Sequence, residues 1–137
     1  MISIDSLRFR YPTGEFRLHV PDFQVASGER IAVIGPSGSG KTTMLNLIAG
    51  ILLPDTGSVT VNGVGVNTLS DARRRDFRIT NVGFVFQDFE LLDYLSVLDN
   101  ILHPYRITGA LRLTGEVRLR AIALAEELGL GDKLNRN

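Results

Sequence analysis

The stretch Gly35-Pro36-Ser37-Gly38-Ser39-Gly40-Lys41-Thr42-Thr43 decides the fold, because it combines closely spaced glycines with a lysine and two threonines. It matches the pattern G-x-x-x-x-G-K-[ST]. Before it, residues 30–34 form a short apolar run with β-branched residues, which is typical of a buried parallel strand. After it, residues 43–49 have the composition of a helix, and Gly50 is a suitable residue to end that helix. The order of strand, glycine loop and helix is the one that this motif requires.

The residue types of this stretch suit phosphate binding. Gly35, Gly38 and Gly40 allow the backbone to wrap around a phosphate without Cβ clashes, and their N–H groups together with the helix N-terminus form an anion-binding nest. Lys41 adds a compact positive charge for the β- and γ-phosphates, and the Thr42 hydroxyl is placed to bind Mg²⁺. The alternative is a turn rich in glycine and serine that binds nothing. The flanking strand and helix disfavour that alternative.

Composition and charge limit the class of protein. The 137 residues carry a net charge of zero, which gives no support for bulk electrostatic binding to nucleic acid. There is no cysteine, so disulfides and thiolate metal sites are excluded. The sequence has no run of about 18 apolar residues and no signal-peptide pattern. We therefore expect a cytosolic globular protein.

Hydrophobic alternation predicts an antiparallel sheet in the first part of the chain. Apolar and polar residues alternate over residues 2–9 and again over residues 16–20. A third short strand is predicted at residues 58–61, before an Asn-Gly turn. The apolar run at residues 82–86 predicts one more buried strand.

Capping signals predict three further helices. A short helix beginning near Ser70 would carry four arginines between positions 73 and 78, and this basic run favours a solvated helix face over a specific anion site. Ser96 and Asp99 form a capping box at the start of the next helix. Thr114 can cap the last helix, which places apolar residues on one face.

These motifs together resemble the nucleotide-binding domain of ATP-binding cassette (ABC) transporters. Their sequences are most similar to those of the lipoprotein-release and macrolide-export group. The resemblance covers essentially the whole chain, and its landmarks occur in the family's order. They are Tyr11 after the first strand, the Walker A loop at 35–43, the hairpin at 53–63, the strand into the Q-loop at 82–87, and the segment 89–101 that opens a helical subdomain.

The resemblance implies an α/β fold with a P-loop NTPase core. Residues 1–87 would hold an N-terminal antiparallel β subdomain and that core, and residues 88–137 the Q-loop and the beginning of a helical subdomain. The family's Leu-Ser-Gly-Gly-Gln signature, its Walker B strand and its switch histidine have no counterpart in the sequence. We therefore expect a domain that is truncated, or incomplete at its C-terminal side.

The resemblance also assigns site residues. Tyr11 would stack on adenine. The rest of the nucleotide would be bound by Gly35, Pro36, Ser37, Gly38, Ser39, Gly40, Lys41, Thr42 and Thr43. Lys41 and Gln87 are the candidate catalytic residues, and Thr42 and Gln87 are the candidate Mg²⁺ contacts. In the family, the glutamine also contacts the attacking water and senses the membrane subunit.

The implied function is that of the ATP-binding subunit of an ABC transporter, which couples the binding and hydrolysis of ATP, with Mg²⁺, to transport. Its partners would be a transmembrane permease subunit and a second nucleotide-binding domain in a head-to-tail dimer, on the cytoplasmic face of the inner membrane. Because signature and Walker B residues are missing, we expect these residues to bind ATP and to hydrolyse it negligibly. Two alternatives stay open, a short non-catalytic nucleotide-binding module and another P-loop enzyme such as a small nucleotide kinase.

Overall fold

The computed structural model describes residues 1–85 and 91–136. The chain divides into two units, Met1–Arg78 and Ile79–Asn137. The subdomain boundary expected from the sequence, between residues 87 and 88, lies outside the described residues and stays a prediction.

An antiparallel sheet forms in the first unit, as the alternation of apolar residues predicts. Strand β1 (Ile2–Arg10) pairs with β2 (Arg17–Val25) on one side and with β3 (Thr56–Val61) on the other, and β3 pairs with the short β4 (Val64–Gly65). The strand order is β2-β1-β3-β4. Its core consists of apolar side chains from β1 and β3 that are fully buried. These are Ile4, Leu7 and Val59.

A β-bulge interrupts the pairing of β1 with β3 between Asp5 and Arg8. Ser6 lies in the left-handed region there, with φ 48°, and Gly57 on β3 has φ 87°. A Cβ atom at Gly57 would lie 2.5 Å from the carbonyl oxygens of Asp5 and Ser6 and 2.6 Å from the Leu7 Cα. Because all three neighbours are backbone atoms, the sheet has room only for glycine at position 57.

Helix α1 (Lys41–Ile48) is held at its C-terminal end by one arginine of α2 (Asp71–Asn81). The Arg78 guanidinium donates at 2.9 Å to the carbonyl oxygen of Gly50, just after α1. Arg74 donates at 2.7 Å to the carbonyl oxygen of Leu69, which precedes α2. A cation near a helix C-terminus complements the helix dipole. Arg73 and Arg75 are exposed, as the predicted solvated face requires, whereas Arg74 and Arg78 donate to backbone carbonyl oxygens.

The two buried strands predicted from apolar runs are absent from the described residues. Residues 30–34 adopt no regular structure, and Ile34 is 91% exposed. Residues 82–85 are also irregular, Val85 is fully exposed, and Phe86 lies outside the described part of the chain. A parallel strand is stable only beside strands that share its hydrogen bonds, and no described segment pairs with these two runs. The strand predictions are therefore wrong for 30–34 and 82–85, while the α/β class is retained.

Two helices, α3 (Val97–Arg106) and α4 (Gly115–Glu127), pack together in the second unit. Their contact is made by apolar side chains at helical spacing. These are Leu98, Leu102 and Ala121, with Val117, Ile122 and Leu134 packed against them. None of the helices within residues 1–85 and 91–136 is long and apolar enough to cross a bilayer.

Both of these helices begin at the caps that the sequence predicts. The Ser96 hydroxyl accepts from the Asp99 N–H at 3.1 Å and donates to the Asp99 carboxylate at 2.8 Å, and the Thr114 hydroxyl accepts from the Val117 N–H at 3.2 Å. The hydrogen bond from Ser96, followed by that from Arg106, lowers the pKa of Asp99. Asp99 therefore contributes stability above its ordinary pKa, and that contribution is lost as the pH falls through the lowered pKa.

Replacing Gly57 with alanine should destabilise the sheet strongly. We expect Gly57→Ala to lower the free energy of unfolding by about 2–4 kcal/mol, because its Cβ overlaps backbone atoms of β1. The matched control is Gly63→Ala, since Gly63 has φ 80° and nothing within 4 Å of an added Cβ. That control should lose only about 1 kcal/mol, the cost of a left-handed conformation. Equal losses in urea unfolding experiments would contradict the crowding at position 57.

Candidate functional site

Two glycines in left-handed conformations shape the loop before α1. Gly38 has φ 78° and Gly40 has φ 97°. The first hydrogen bond of α1 runs from the Met44 N–H to the Gly40 carbonyl oxygen at 2.8 Å. The N–H groups of residues 41–43 therefore have no acceptor within the helix. They lie at the positive end of the helix dipole, where an anion is favoured.

The Lys41 side chain folds back over this loop. Its Nζ donates to the carbonyl oxygens of Gly35 and Pro36, each at 2.8 Å, and lies 3.5 Å from the Ser39 Oγ. These partners are neutral, and the contacts are exposed to solvent. A phosphate oxygen forms a stronger, charge-assisted hydrogen bond with an ammonium group than a neutral carbonyl does. The ammonium of Lys41 can therefore exchange these partners for a phosphate.

The loop packs against the start of β2. A Cβ atom at Gly40 would lie 2.8 Å from the Phe16 Cζ and 3.2 Å from the Leu18 Cδ1. At the other end of the loop, a Cβ atom at Gly35 would lie 2.8 Å from the Ser39 Oγ. The loop is thus closely packed at both ends, and at Gly40, where φ is 97°, it is supported from the sheet side.

Tyr11 follows β1 and contacts both the sheet and α1. Its ring lies edge-to-face with Phe9, with centroids 4.9 Å apart, and tilted against Phe16, with centroids 5.8 Å apart. Its hydroxyl is hydrogen-bonded to the Thr43 Oγ1 at 3.0 Å. Thr43 is buried, whereas Tyr11 retains 37% of its surface exposed. Tyr11 is therefore partly exposed beside the loop while its hydroxyl is hydrogen-bonded.

A cavity of about 440 Å³ lies beside Tyr11. It is lined by Arg10, Tyr11, Pro12, Gly14, Phe16, Arg17 and Asp55. Arg10 and Asp55 form an exposed ion pair at 3.8 Å across its wall. Its volume falls within the range of small-molecule sites. The combination of ring, arginine and carboxylate groups suits a polar heterocycle.

The loop also fits a metal ion that arrives with phosphate. Thr42 is exposed in the first turn of α1, so its hydroxyl is accessible. Among residues 1–85 and 91–136, no group of three or more histidine, aspartate and glutamate side chains could hold a metal ion. Mg²⁺ in proteins often combines one or two protein ligands with phosphate oxygens and water. Thr42 suits that mode, in which the phosphates supply most of the coordination.

The structure brings together most of the residues that the sequence indicates. The loop at 35–43 and Tyr11 meet at the N-terminus of α1. Gln87, the candidate for both catalysis and Mg²⁺, lies outside the described residues, and its role stays a prediction. The sequence did not indicate that Phe16 supports the loop, because the alternating pattern predicts only that this residue belongs to a strand. Its aromatic character near the Tyr11 turn was the available signal.

Comparison with known proteins gives the family. The protein-family model described as ABC transporter matches residues 18–137. The chain belongs to the ABC transporter family. The resemblance inferred from Tyr11, the loop at 35–43 and the later landmarks is thereby confirmed.

Several relatives of this ABC transporter chain are similar over almost its whole length. The uncharacterized ABC transporter ATP-binding protein Rv0986 of Mycobacterium tuberculosis is 38% identical over 97% of this chain and 54% of its own length. A lipoprotein-releasing system ATP-binding protein LolD of Xanthomonas oryzae is 35% identical over 98% of this chain and 56% of its own length. The chain therefore spans about half the length of the curated relatives that it matches.

A solved structure shares the fold. The ATP-binding cassette MJ0796, in a dimeric post-hydrolysis state bound to ADP and Pi, has a TM-score of 0.83 and 31% sequence identity. The match covers 98% of this chain and 60% of that chain. The α/β cassette fold implied by the resemblance is therefore confirmed over the part of the cassette that this chain covers.

The contact between Phe16 and the loop can be tested by a double-mutant cycle. We expect Gly40→Ala to lower the free energy of unfolding by about 2–3 kcal/mol. The backbone at this position is left-handed, and the added Cβ would be crowded. In a Phe16→Ala background the contact at 2.8 Å is removed and only the contact with Leu18 at 3.2 Å remains, so the loss should fall to about 1–2 kcal/mol. Gly38→Ala is the control, because nothing lies within 4 Å of its Cβ, and it should lose the same amount in both backgrounds. An undiminished loss for Gly40→Ala in the Phe16→Ala background would contradict the packing described above.

Proposed function

We propose that this chain binds Mg-ATP through residues 35–43, as the ATP-binding subunit of an ABC transporter. The observation that carries the proposal is the Lys41 Nζ, held 2.8 Å from two neutral carbonyl oxygens at the N-terminus of α1. An ammonium group beside N–H groups that lack helical acceptors is matched to the terminal phosphates of a nucleotide. The membership of the ABC transporter family supports the same ligand.

Each part of the nucleotide has a proposed contact. The N–H groups of Gly38, Gly40 and residues 41–43 hold phosphate oxygens, and Lys41 neutralises the β- and γ-phosphates. The exposed Thr42 hydroxyl completes the coordination of Mg²⁺. The partly exposed Tyr11, which lines the 440 Å³ cavity, contacts the adenine. Gln87 is proposed, from the family resemblance, to contact the metal and the attacking water.

The partners are also part of the proposal. We infer that a transmembrane permease subunit and a second nucleotide-binding domain join this chain on the cytoplasmic face of the inner membrane. Two relatives support this inference. The LolD proteins are named for a lipoprotein-releasing system, and the MJ0796 cassette was solved as a dimer. The net charge of zero gives no support for nucleic acid as a partner.

We further propose that these residues bind ATP and hydrolyse it negligibly. The 137 residues contain neither Leu-Ser-Gly-Gly-Gln nor an apolar strand that ends in Asp-Glu. Phosphoryl transfer to water depends on groups that position the water and stabilise charge in the transition state. The loop at 35–43 supplies phosphate contacts, which are sufficient for binding and insufficient for turnover.

Lys41→Ala tests the proposed function. We expect the wild-type chain to bind Mg-ATP in equilibrium titrations and Lys41→Ala to bind it about 10- to 100-fold more weakly, because a charge-assisted hydrogen bond is lost. Phosphate release, followed in the same samples, should stay at the level of a protein-free blank.

Lys133→Ala is the matched control. It removes the only other lysine of the chain, in the second unit, and should leave the affinity unchanged. An affinity that falls equally in both variants would show a bulk charge effect and contradict the proposed site. Phosphate release that depends on Lys41 would contradict the proposal of binding without turnover.

A further inference from the structure

The Tyr11 hydroxyl makes a contact that base stacking does not require. It is hydrogen-bonded at 3.0 Å to the Thr43 Oγ1, across 32 positions of sequence. Thr43 lies in the first turn of α1 and is 7% exposed. A buried hydroxyl without a partner is costly, so this bond fixes the side chain of Thr43 and the turn that carries it.

The position of that hydroxyl is itself fixed. The Tyr11 ring is packed between Phe9 and Phe16, and the Phe16 Cζ would lie 2.8 Å from a Cβ atom at Gly40. Tyr11 therefore contacts the phosphate-binding loop by two routes. One route is direct, through the Thr43 hydroxyl, and the other runs through Phe16 to Gly40.

We propose that Tyr11 is a positioning residue for phosphate binding, and that its hydroxyl holds the first turn of α1 in the orientation that aims the N–H groups of residues 41–43 at the ligand. This inference rests on the proposed function and deepens it. Displacing an anchoring group by as little as about 1 Å weakens a preorganised site considerably. The contribution of the Tyr11 hydroxyl therefore extends to a ligand that has phosphates and no base.

The test compares two probes, Mg-ATP and Mg-tripolyphosphate, of which the second has no base. Tyr11→Phe keeps the ring and removes the hydroxyl, and Thr43→Val keeps the shape of the side chain and removes its hydroxyl. We expect Tyr11→Phe to weaken both probes by the same factor, about fivefold, which corresponds to one net hydrogen bond. In the Thr43→Val background, Tyr11→Phe should have no further effect, because the partner of the hydroxyl is already gone.

A control and a structural readout accompany these titrations. Tyr94→Phe makes the same chemical change at a side chain that is 74% exposed in the second unit, and should leave both affinities unchanged. The melting temperature of each variant without ligand shows whether the substitution destabilises the fold, which separates a loss of stability from a loss of positioning. A lowered melting temperature for Tyr11→Phe with unchanged affinity for both probes would overturn the inference.

Two other outcomes separate this inference from the proposed function. If Tyr11→Phe weakens Mg-ATP and leaves Mg-tripolyphosphate unchanged, the hydroxyl acts on the base and the positioning role is wrong, while the nucleotide site stands. If the wild-type chain binds neither probe, or if Lys41→Ala binds both as the wild type does, the proposed function and the positioning role both fail.

Discussion

The left-handed backbone of Gly38 and Gly40 is the constraint on which the site depends. With φ 78° and 97°, these glycines turn the chain so that α1 begins directly after the loop. The N–H groups of residues 41–43 are left without helical acceptors as a consequence. Lys41 then folds back over the loop carbonyl oxygens. Glycine is needed because other residues reach this conformation only at a cost of about 1–2 kcal/mol each.

Contacts with the sheet side hold the glycine loop of the candidate site in one conformation. Phe16 packs on Gly40, and the Tyr11 hydroxyl is bonded to Thr43. The far end of α1 is held by Arg78, which donates to the Gly50 carbonyl oxygen. The helix is therefore fixed at both ends. A site whose groups are already oriented binds more tightly, because less conformational freedom is lost when the ligand arrives.

The sequence predicts the local features well because local chemistry determines them. Alternation of apolar residues predicts β1 and β2, and Ser96 and Thr114 cap the helices as expected. The loop at 35–43 and Tyr11 are also identified from the residues and their family resemblance.

Contacts between distant segments could not be predicted in this way. Residues 30–34 have the composition of a strand, but a strand also needs neighbours, and none of the described segments pairs with them. Phe16 sits in an alternating run, which indicates burial and does not indicate what the ring touches. The bond between Tyr11 and Thr43 likewise depends on how β1 and α1 are placed in space.

The most direct measurement is a titration of the isotopically labelled chain with Mg-ATP, followed by the NMR shifts of its backbone amides. If residues 35–43 hold the phosphates, the largest shifts will occur at the N–H groups of Gly38, Gly40 and the first turn of α1. If those amides stay unchanged while the largest shifts occur around the arginines of α2, phosphate binding belongs to another surface and the account is contradicted.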